Sequence, residues 1–240
     1  MNIVHISDSH GGKINPGKAC DLLILSGDIA GHSMKNFTPM LHGKPSPFGW
    51  KWYDFRLIDK EAEAISQANW INNQVVPRLK KKGLDLDKVI FVNGNHDFFN
   101  PTPIFKNSIK TGSKTILVNG IKVGLLAGVL PVTGEWNDEI PEHEIRQRIL
   151  ALDPDIEILV SHTAPYGIRD SNYGGEHTGS KELTNAIFGS KLQGLDPYFT
   201  KLTLHTYGHS HEGFGGEKHE VGDRTIRFSN GATGRVDITF

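Results

Sequence analysis

Cysteine is nearly absent: Cys20 stands alone among 240 residues. An intrachain disulfide is excluded, and a reducing compartment fits. Long apolar runs are missing as well. None reaches the roughly eighteen residues of a membrane span, and no basic segment with an apolar core follows Met1. The expectation is a soluble cytoplasmic protein with no membrane partner. Charge of one sign is also lacking. There are 26 Lys and Arg against 27 Asp and Glu, a net −1 with histidine neutral. No strong field draws the chain to nucleic acid or an anionic surface. No Lys/Arg stripe with interleaved aromatics runs along it, and Lys80-Lys81-Lys82 reads as a solvated helix end. A long nucleic acid is therefore not an expected partner. Repeats, low-complexity tracts and coiled-coil heptads are absent, which leaves the oligomeric state open.

What is present is enough chain for one large core, burying roughly 70% of the extended surface. Short β-branched runs recur at Ile3–Ile6, Leu22–Leu25, Val89–Val92, Ile116–Val118, Val123–Leu126, Ile156–Val160, Leu202–Leu204, Thr225–Phe228 and Gly234–Phe240. Bounded by Gly, Asp, Asn or Pro, they read as strands, and several lack alternation, as strands covered on both faces do. Lys60 to Lys82 carries Ala62, Ile65, Ala68, Ile71, Val75 and Leu79 as one helical stripe, with a kink or split expected at Pro77. Pro141 to Leu150 and Ser180 to Phe188 are shorter helices, the second with Ser180 as a cap. The pattern predicts an α/β fold of two packed sheets with helices outside. It predicts one domain over residues 1–240, with an inserted loop and helix region at roughly 31–82. Gly31 to Tyr53, rich in proline and aromatics, resists assignment and is expected to be either packing or a wall beside a substrate site.

Five polar clusters punctuate this frame: Asp8-x-His10, Gly27-Asp28, Gly94-Asn95-His96-Asp97, His162 and Gly208-His209-x-His211. Most directly follow a strand-like run. Their carboxylate, imidazole and amide donors suit borderline or hard divalent cations. Residues two apart on an extended segment point the same way, so Asp8 with His10, and His209 with His211, can each face one ion. The two oxygens of Asp28 can bridge two cations. Asn95 can bind metal without adding charge, His96 can donate a proton, and Asp97 can orient the His96 ring. Each cluster alone is unremarkable for a loop. Ends of neighbouring strands converge in space, so the five can meet in one crevice.

In content and order the clusters resemble the calcineurin-like metallophosphoesterase superfamily, over residues 8 to 211. The resemblance implies the metallo-dependent phosphatase fold, a double β-sandwich of two mixed sheets flanked by helices. It implies two divalent metal ions, one on Asp8, His10, Asp28 and His211, the other on Asp28, Asn95, His162 and His209. His96 would face the leaving oxygen. Mn²⁺ is the first expectation, and Fe, Zn, Co or Ni suit the same donors.

The run Ser161-His162-Thr163-Ala164-Pro165-Tyr166-Gly167, then Arg169-Asp170 and Gly179-Ser180, narrows the resemblance, as do Gly208 to Gly215 and Asn230. They are similar to the class III cyclic-nucleotide-phosphodiesterase-like and metallophosphoesterase-domain branch. The Asp-Arg-Gly run of protein serine/threonine phosphatases is replaced here by Ile29-Ala30-Gly31-His32. The implied reaction is hydrolysis of a small phosphodiester by a hydroxide held between the two ions. A phosphomonoesterase or phosphoprotein phosphatase, a nuclease and a non-catalytic metal-binding scaffold remain alternatives.

Overall fold

A computed structural model describes residues 1–17, 20–33, 58–190 and 192–240, together with the backbone of two short paired segments at 38–39 and 53–54. The strands are β1 (Asn2–Ile6), β2 (Leu22–Leu25), β3 (Thr38–Pro39), β4 (Tyr53–Asp54), β5 (Val89–Val92), β6 (Asn107–Ile109), β7 (Ser113–Val118), β8 (Ile121–Leu126), β9 (Ile158–Ser161), β10 (Leu204–Tyr207), β11 (Gly215–Val221), β12 (Arg224–Asn230) and β13 (Arg235–Thr239). The helices are α1 (Lys60–Trp70), α2 (Val76–Lys81), α3 (Glu142–Leu150) and α4 (Lys181–Phe188).

Two sheets dominate. One runs β13-β1-β2-β5-β6 and the other β11-β12-β10-β9-β8-β7. In the first, β1, β2, β5 and β6 are parallel and only β13 is antiparallel. In the second, β12, β10, β9 and β8 are parallel, and the edge strands β11 and β7 are antiparallel. Both sheets are mixed, and the expected α/β double sandwich is the fold.

The unalternating strands have two apolar faces because both are covered. Ile3, Leu22, Ile24, Ile90 and Val92 meet Val123, Leu125, Ile158, Val160 and Leu204 of the other sheet. The opposite sides of the same strands, Val4, Leu23, Leu25, Val89 and Phe91, pack on Ile71, Val75 and Leu79 of the helical segment 60–81. On the far side of the second sheet, Leu159, Tyr207 and Phe228 pack on Ile145, Ile149, Leu183 and Ile187 of α3 and α4. Among the described residues, no helix is long and apolar enough to cross a membrane.

Three expectations change. The stripe of α1 is rotated. Ile65 is exposed, while Glu63 and Gln67 are buried and continue the spacing of four through Ile71, Val75 and Leu79. The split falls at a π turn, Ile71–Val75, directly before Pro77 in the first turn of α2, so the helical path continues past a residue that has no N–H to donate. Strands β6 and β11 carry no apolar signature in the sequence. Both are sheet edges, and β11 alternates exposed and half-exposed side chains. Beyond Ser33, the stretch to Tyr53 lies outside the described residues except for the backbone pairing of β3 with β4.

Candidate metal centre

Each polar cluster begins at the C-terminal end of a parallel strand: β1, β2 and β5 in one sheet, β9 and β10 in the other. The Asp8 loop and the Asp28 loop run side by side. Asp8 N donates to Gly27 O, and His10 N to Asp28 O, both at 3.0 Å. Neither Asp8 nor His10 is extended. Asp8, His10, Asp28 and His209 all lie in the left-handed region, with φ of 52°, 42°, 54° and 68°. The alternation expected to pair Asp8 with His10 is thus replaced by a turn. The same holds for the second pair, where a short 3₁₀ turn starts at His211. Four left-handed residues that are not glycine in one crevice are a concentration of strain worth about 1–3 kcal/mol each, the kind retained where side chains must be aimed.

Backbone amides anchor one oxygen of each carboxylate and leave the other facing the crevice. Asp8 Oδ2 accepts from His209 N at 2.9 Å, and Asp8 Oδ1 lies 3.2 Å from His211 Nε2. Asp28 Oδ1 accepts from His96 N at 2.8 Å, and Asp28 Oδ2 lies 3.3 Å from His162 Nε2. Among the described residues, three overlapping sets bring ligand atoms within 4.8 Å of one another: Asp8, His10 and His211; His10, Asp28 and His96; Asp8, Asp28 and His162. His209 joins through its ring, 5.2 Å from that of His162. Gly27, Gly94 and Gly208 make this closeness achievable. A Cβ on Gly94 or Gly208 would collide with the carboxylate of Asp28 or Asp8, and one on Gly27 with the His162 ring.

His162 Nδ1 donates to Ser26 O at 2.7 Å, which leaves Nε2 toward the two carboxylates. That nitrogen and Asn95 Oδ1 are both buried without a hydrogen-bond partner. A buried polar atom left so is costly, by about 1–3 kcal/mol. Divalent cations would satisfy these atoms, so the donors fit the metal ions that the sequence implies.

The electrostatics agree. Burial alone would lower His162, but Asp28 and Asp8 outweigh it and lift the imidazole to about 10. Burial would raise both carboxyls, yet His162 keeps Asp8 and Asp28 below the usual carboxylate range. Without metal, the His162 proton is the countercharge that a cation would displace. Burial lowers His209 to about 4 and His96 to about 3, the latter against the pull of Asp28. The hydrogen bond to Asp8 raises His211.

Asp97 differs from expectation. Its carboxylate accepts from the amides of Ile29, Ala30 and Gly94, at 3.0–3.4 Å, and thereby ties the Asp28 loop to the Asn95 loop. These amides, rather than the His96 ring, are its hydrogen-bond partners among the described residues. Burial and the charge of Asp28 push it up to about 7. His96 Nδ1 instead meets His32 Nε2 at 2.8 Å, and Trp136 packs on the His96 ring at 4.0 Å between centroids. His32, Glu63, Gln67 and Trp136 were not singled out from the sequence. A polar i, i+4 pair, Glu63 and Gln67, beside an apolar stripe was the one available signal.

The residues that narrowed the resemblance form a brace. Asp170 accepts from Gly167 N, Gly179 N and His177 Nδ1. Thr178 and Ser210 hydroxyls pair at 2.9 Å, Arg169 Nη1 donates to Phe214 O, and Asn230 Nδ2 donates to Arg169 O and Ser210 O. The loop after His162 is thus locked to the loop carrying His209 and His211.

The family model for calcineurin-like phosphoesterases matches residues 1–213, a span that includes every cluster. The chain belongs to the calcineurin-like phosphoesterase family. Solved structures similar to this chain include a putative 5′-nucleotidase from Staphylococcus aureus (13% identity, TM-score 0.46, 100% of this chain and 51% of that one). Others are a 5′-nucleotidase precursor from Thermus thermophilus (11%, 0.44, 100% and 51%) and a phosphatase from Mycoplasma pneumoniae (12%, 0.45, 98% and 72%). This chain spans about half the length of the two nucleotidases. No curated protein sequence matches it.

Proposed function

We propose that this phosphoesterase hydrolyses small phosphodiesters at a two-metal centre on Asp8, His10, Asp28, Asn95, His162, His209 and His211. The observation that carries the reading is a pair of buried ligand atoms in the crevice of the Asp8 and Asp28 carboxylates: Asn95 Oδ1, which accepts no hydrogen bond, and His162 Nε2, whose nearest polar neighbour is Asp28 Oδ2 at 3.3 Å. Two divalent ions, when bound, supply Lewis-acid stabilisation of the phosphate oxygens and acidify a water. Asp8 and Asp28 each stand in two of the three ligand sets. The family pattern favours Asp28 as the shared ligand, with Mn²⁺ the preferred ion.

His96 is the proton donor to the leaving oxygen. Its Nε2 faces the centre, 3.9 Å from Asp28 Oδ2. Burial keeps the ring neutral, and a phosphate anion seated against Nε2 supplies the negative charge that raises its affinity for a proton. The diester reading draws support from the Ser161–Gly167 run and its companions, and small substrates from the near-zero net charge.

The test is a panel of bis(p-nitrophenyl) phosphate, cyclic nucleotides and p-nitrophenyl phosphate, run on chelator-treated protein with and without added Mn²⁺. Chelation should abolish turnover and Mn²⁺ restore it. Diesters should exceed monoesters in kcat/KM by about tenfold or more, some 1.4 kcal/mol of barrier. Undiminished turnover in protein shown metal-free by elemental analysis overturns the two-metal reading, and a monoester preference overturns the diester assignment.

A further inference from the structure

We infer that Glu63 and His32 form a hydrogen-bonded relay that sets the tautomer and orientation of His96, and so act as positioning residues for proton transfer. The inference rests on the role just given to His96. His32 bridges two partners, with Nδ1 at 3.0 Å from Glu63 Oε1 and Nε2 at 2.8 Å from His96 Nδ1. Glu63 lies on α1, is fully buried, and also accepts from Ser33 N at 3.1 Å and from Gln67 Nε2 at 3.3 Å. Gln67 grips the backbone just after the ring, on either side of Asp97, donating to His96 O at 2.8 Å and accepting from Phe98 N at 2.7 Å. Trp136 covers the pair, 4.0 Å from the His96 centroid and 5.6 Å from that of His32, nearly parallel to the latter at 26°.

A carboxylate at Glu63 is an odd choice for packing. The same helix face continues with Ile71, Val75 and Leu79, and an apolar side chain there would avoid the desolvation that a buried carboxylate suffers. Directionality supplies the reason. A carboxylate accepts, so His32 as a neutral ring donates through Nδ1, and its Nε2 is left as an acceptor. His96 must then donate through Nδ1, which turns its Nε2 to the crevice as the atom that takes and gives the proton. A ring held only by packing would be free to carry its hydrogen on Nε2 and to swing about χ2. Partners of this kind to a functional imidazole alter activity by about 10–100-fold.

The test reads the tautomer directly, by long-range ¹H–¹⁵N correlation of the histidines in ¹⁵N-labelled metal-free protein. Wild-type His96 should carry its hydrogen on Nδ1. In His32→Phe, which keeps a ring beside Trp136 but offers no acceptor, His96 should shift to the Nε2–H form. Metal content and KM should hold. The kcat on an alkyl diester should fall by about 10–100-fold, and that on a nitrophenyl diester by much less, because nitrophenolate needs little protonation. His32→Gln, whose Oε1 can accept, should restore both tautomer and rate. An Nε2–H tautomer in the wild type overturns the relay whatever the variants do. So does an equal loss on both diesters. If the wild type hydrolyses no phosphoester, the functional reading falls while the tautomer still reports on the relay.

Discussion

Asp28 divides its two oxygens between tasks: Oδ1 accepts the His96 amide, and Oδ2 faces His162 Nε2 and His96 Nε2. On the two-metal proposal, removing it takes away a shared ligand and a loop anchor together, whereas His211 would contribute one nitrogen at the half-exposed rim. Asp28→Ala should therefore bring bound metal per chain toward zero and abolish turnover. His211→Ala should weaken one ion only, by at least about tenfold. Elemental analysis after dialysis separates the two, and full occupancy in Asp28→Ala would rule out the bridge. The candidate ligands were legible because Asp, His and Asn, side chains with metal-binding donors, cluster directly after strand-like runs. The task of Asp97 was not legible, because adjacency to His96 in sequence says nothing of where three backbone amides will stand.

The helices place the polar groups behind the site. In α1, Glu63 and Gln67 take the inward face where the apolar stripe was expected, since this end of the helix lies over the His96 loop rather than over the sheet. Helix α4 starts at Ser180, whose Oγ accepts from Leu183 N at 3.1 Å and donates to Glu142 Oε2 at 2.6 Å. It begins where the brace from Asp170 ends. Ser180→Ala should cost about 1–2 kcal/mol, the upper part of the range for a lost N-cap, because the bond to Glu142 goes with it. Urea unfolding would show this as a lower midpoint at unchanged slope; an unaltered midpoint would mean that Glu142 alone holds the turn, through its bonds to the amides of Lys181 and Glu182. The cap was readable because Ser180 stands just before Glu182 and Leu183 at the start of a helical pattern. The edge strands β6 and β11 were not, because one-sided pairing stabilises polar sequence that periodicity cannot distinguish from loop.

Across the whole molecule, two buried histidines outside the proposed ligand set couple its layers to pH. His5 spans the sandwich, with Nδ1 at 2.8 Å from Ser229 Oγ of β12 and Nε2 at 2.6 Å from Ser26 Oγ after β2. His205 Nε2 donates to Ser161 Oγ at 2.8 Å. Burial lowers each to about 3 from 6.5. Between those values the unfolded chain binds protons that the folded chain refuses. Stability should thus fall as pH drops from 6.5 toward 3, each group adding up to about 1.4 kcal/mol per pH unit. His162 acts in the opposite direction in metal-free protein. Its raised pKa contributes fully below 6.5, and that contribution is lost as pH climbs toward 10. Denaturant midpoints of metal-free protein should therefore peak near neutrality. His205→Leu should flatten the acid limb, Ser161 keeping its own bond to Thr163 O. An acid limb as steep as the wild type's would remove His205 from this account.

The sequence by itself determined the fold class, the strand-end clusters and the chemistry of their donors. Runs with no polar partner must be covered on both faces, and strand ends concentrate whatever polar residues follow them. Only the tertiary structure decided how those donors are aimed. Asp8 and His10 meet through left-handed turns rather than alternation, Asp97 clamps two loops, and His162 is turned by a carbonyl from the other sheet. The partner of His96 arrives from His32, which Glu63 on a helix 31 residues further along the chain holds in place. Hydrogen-bond direction and close approach depend on groups that are distant in sequence and adjacent only after folding, and no local pattern encodes them.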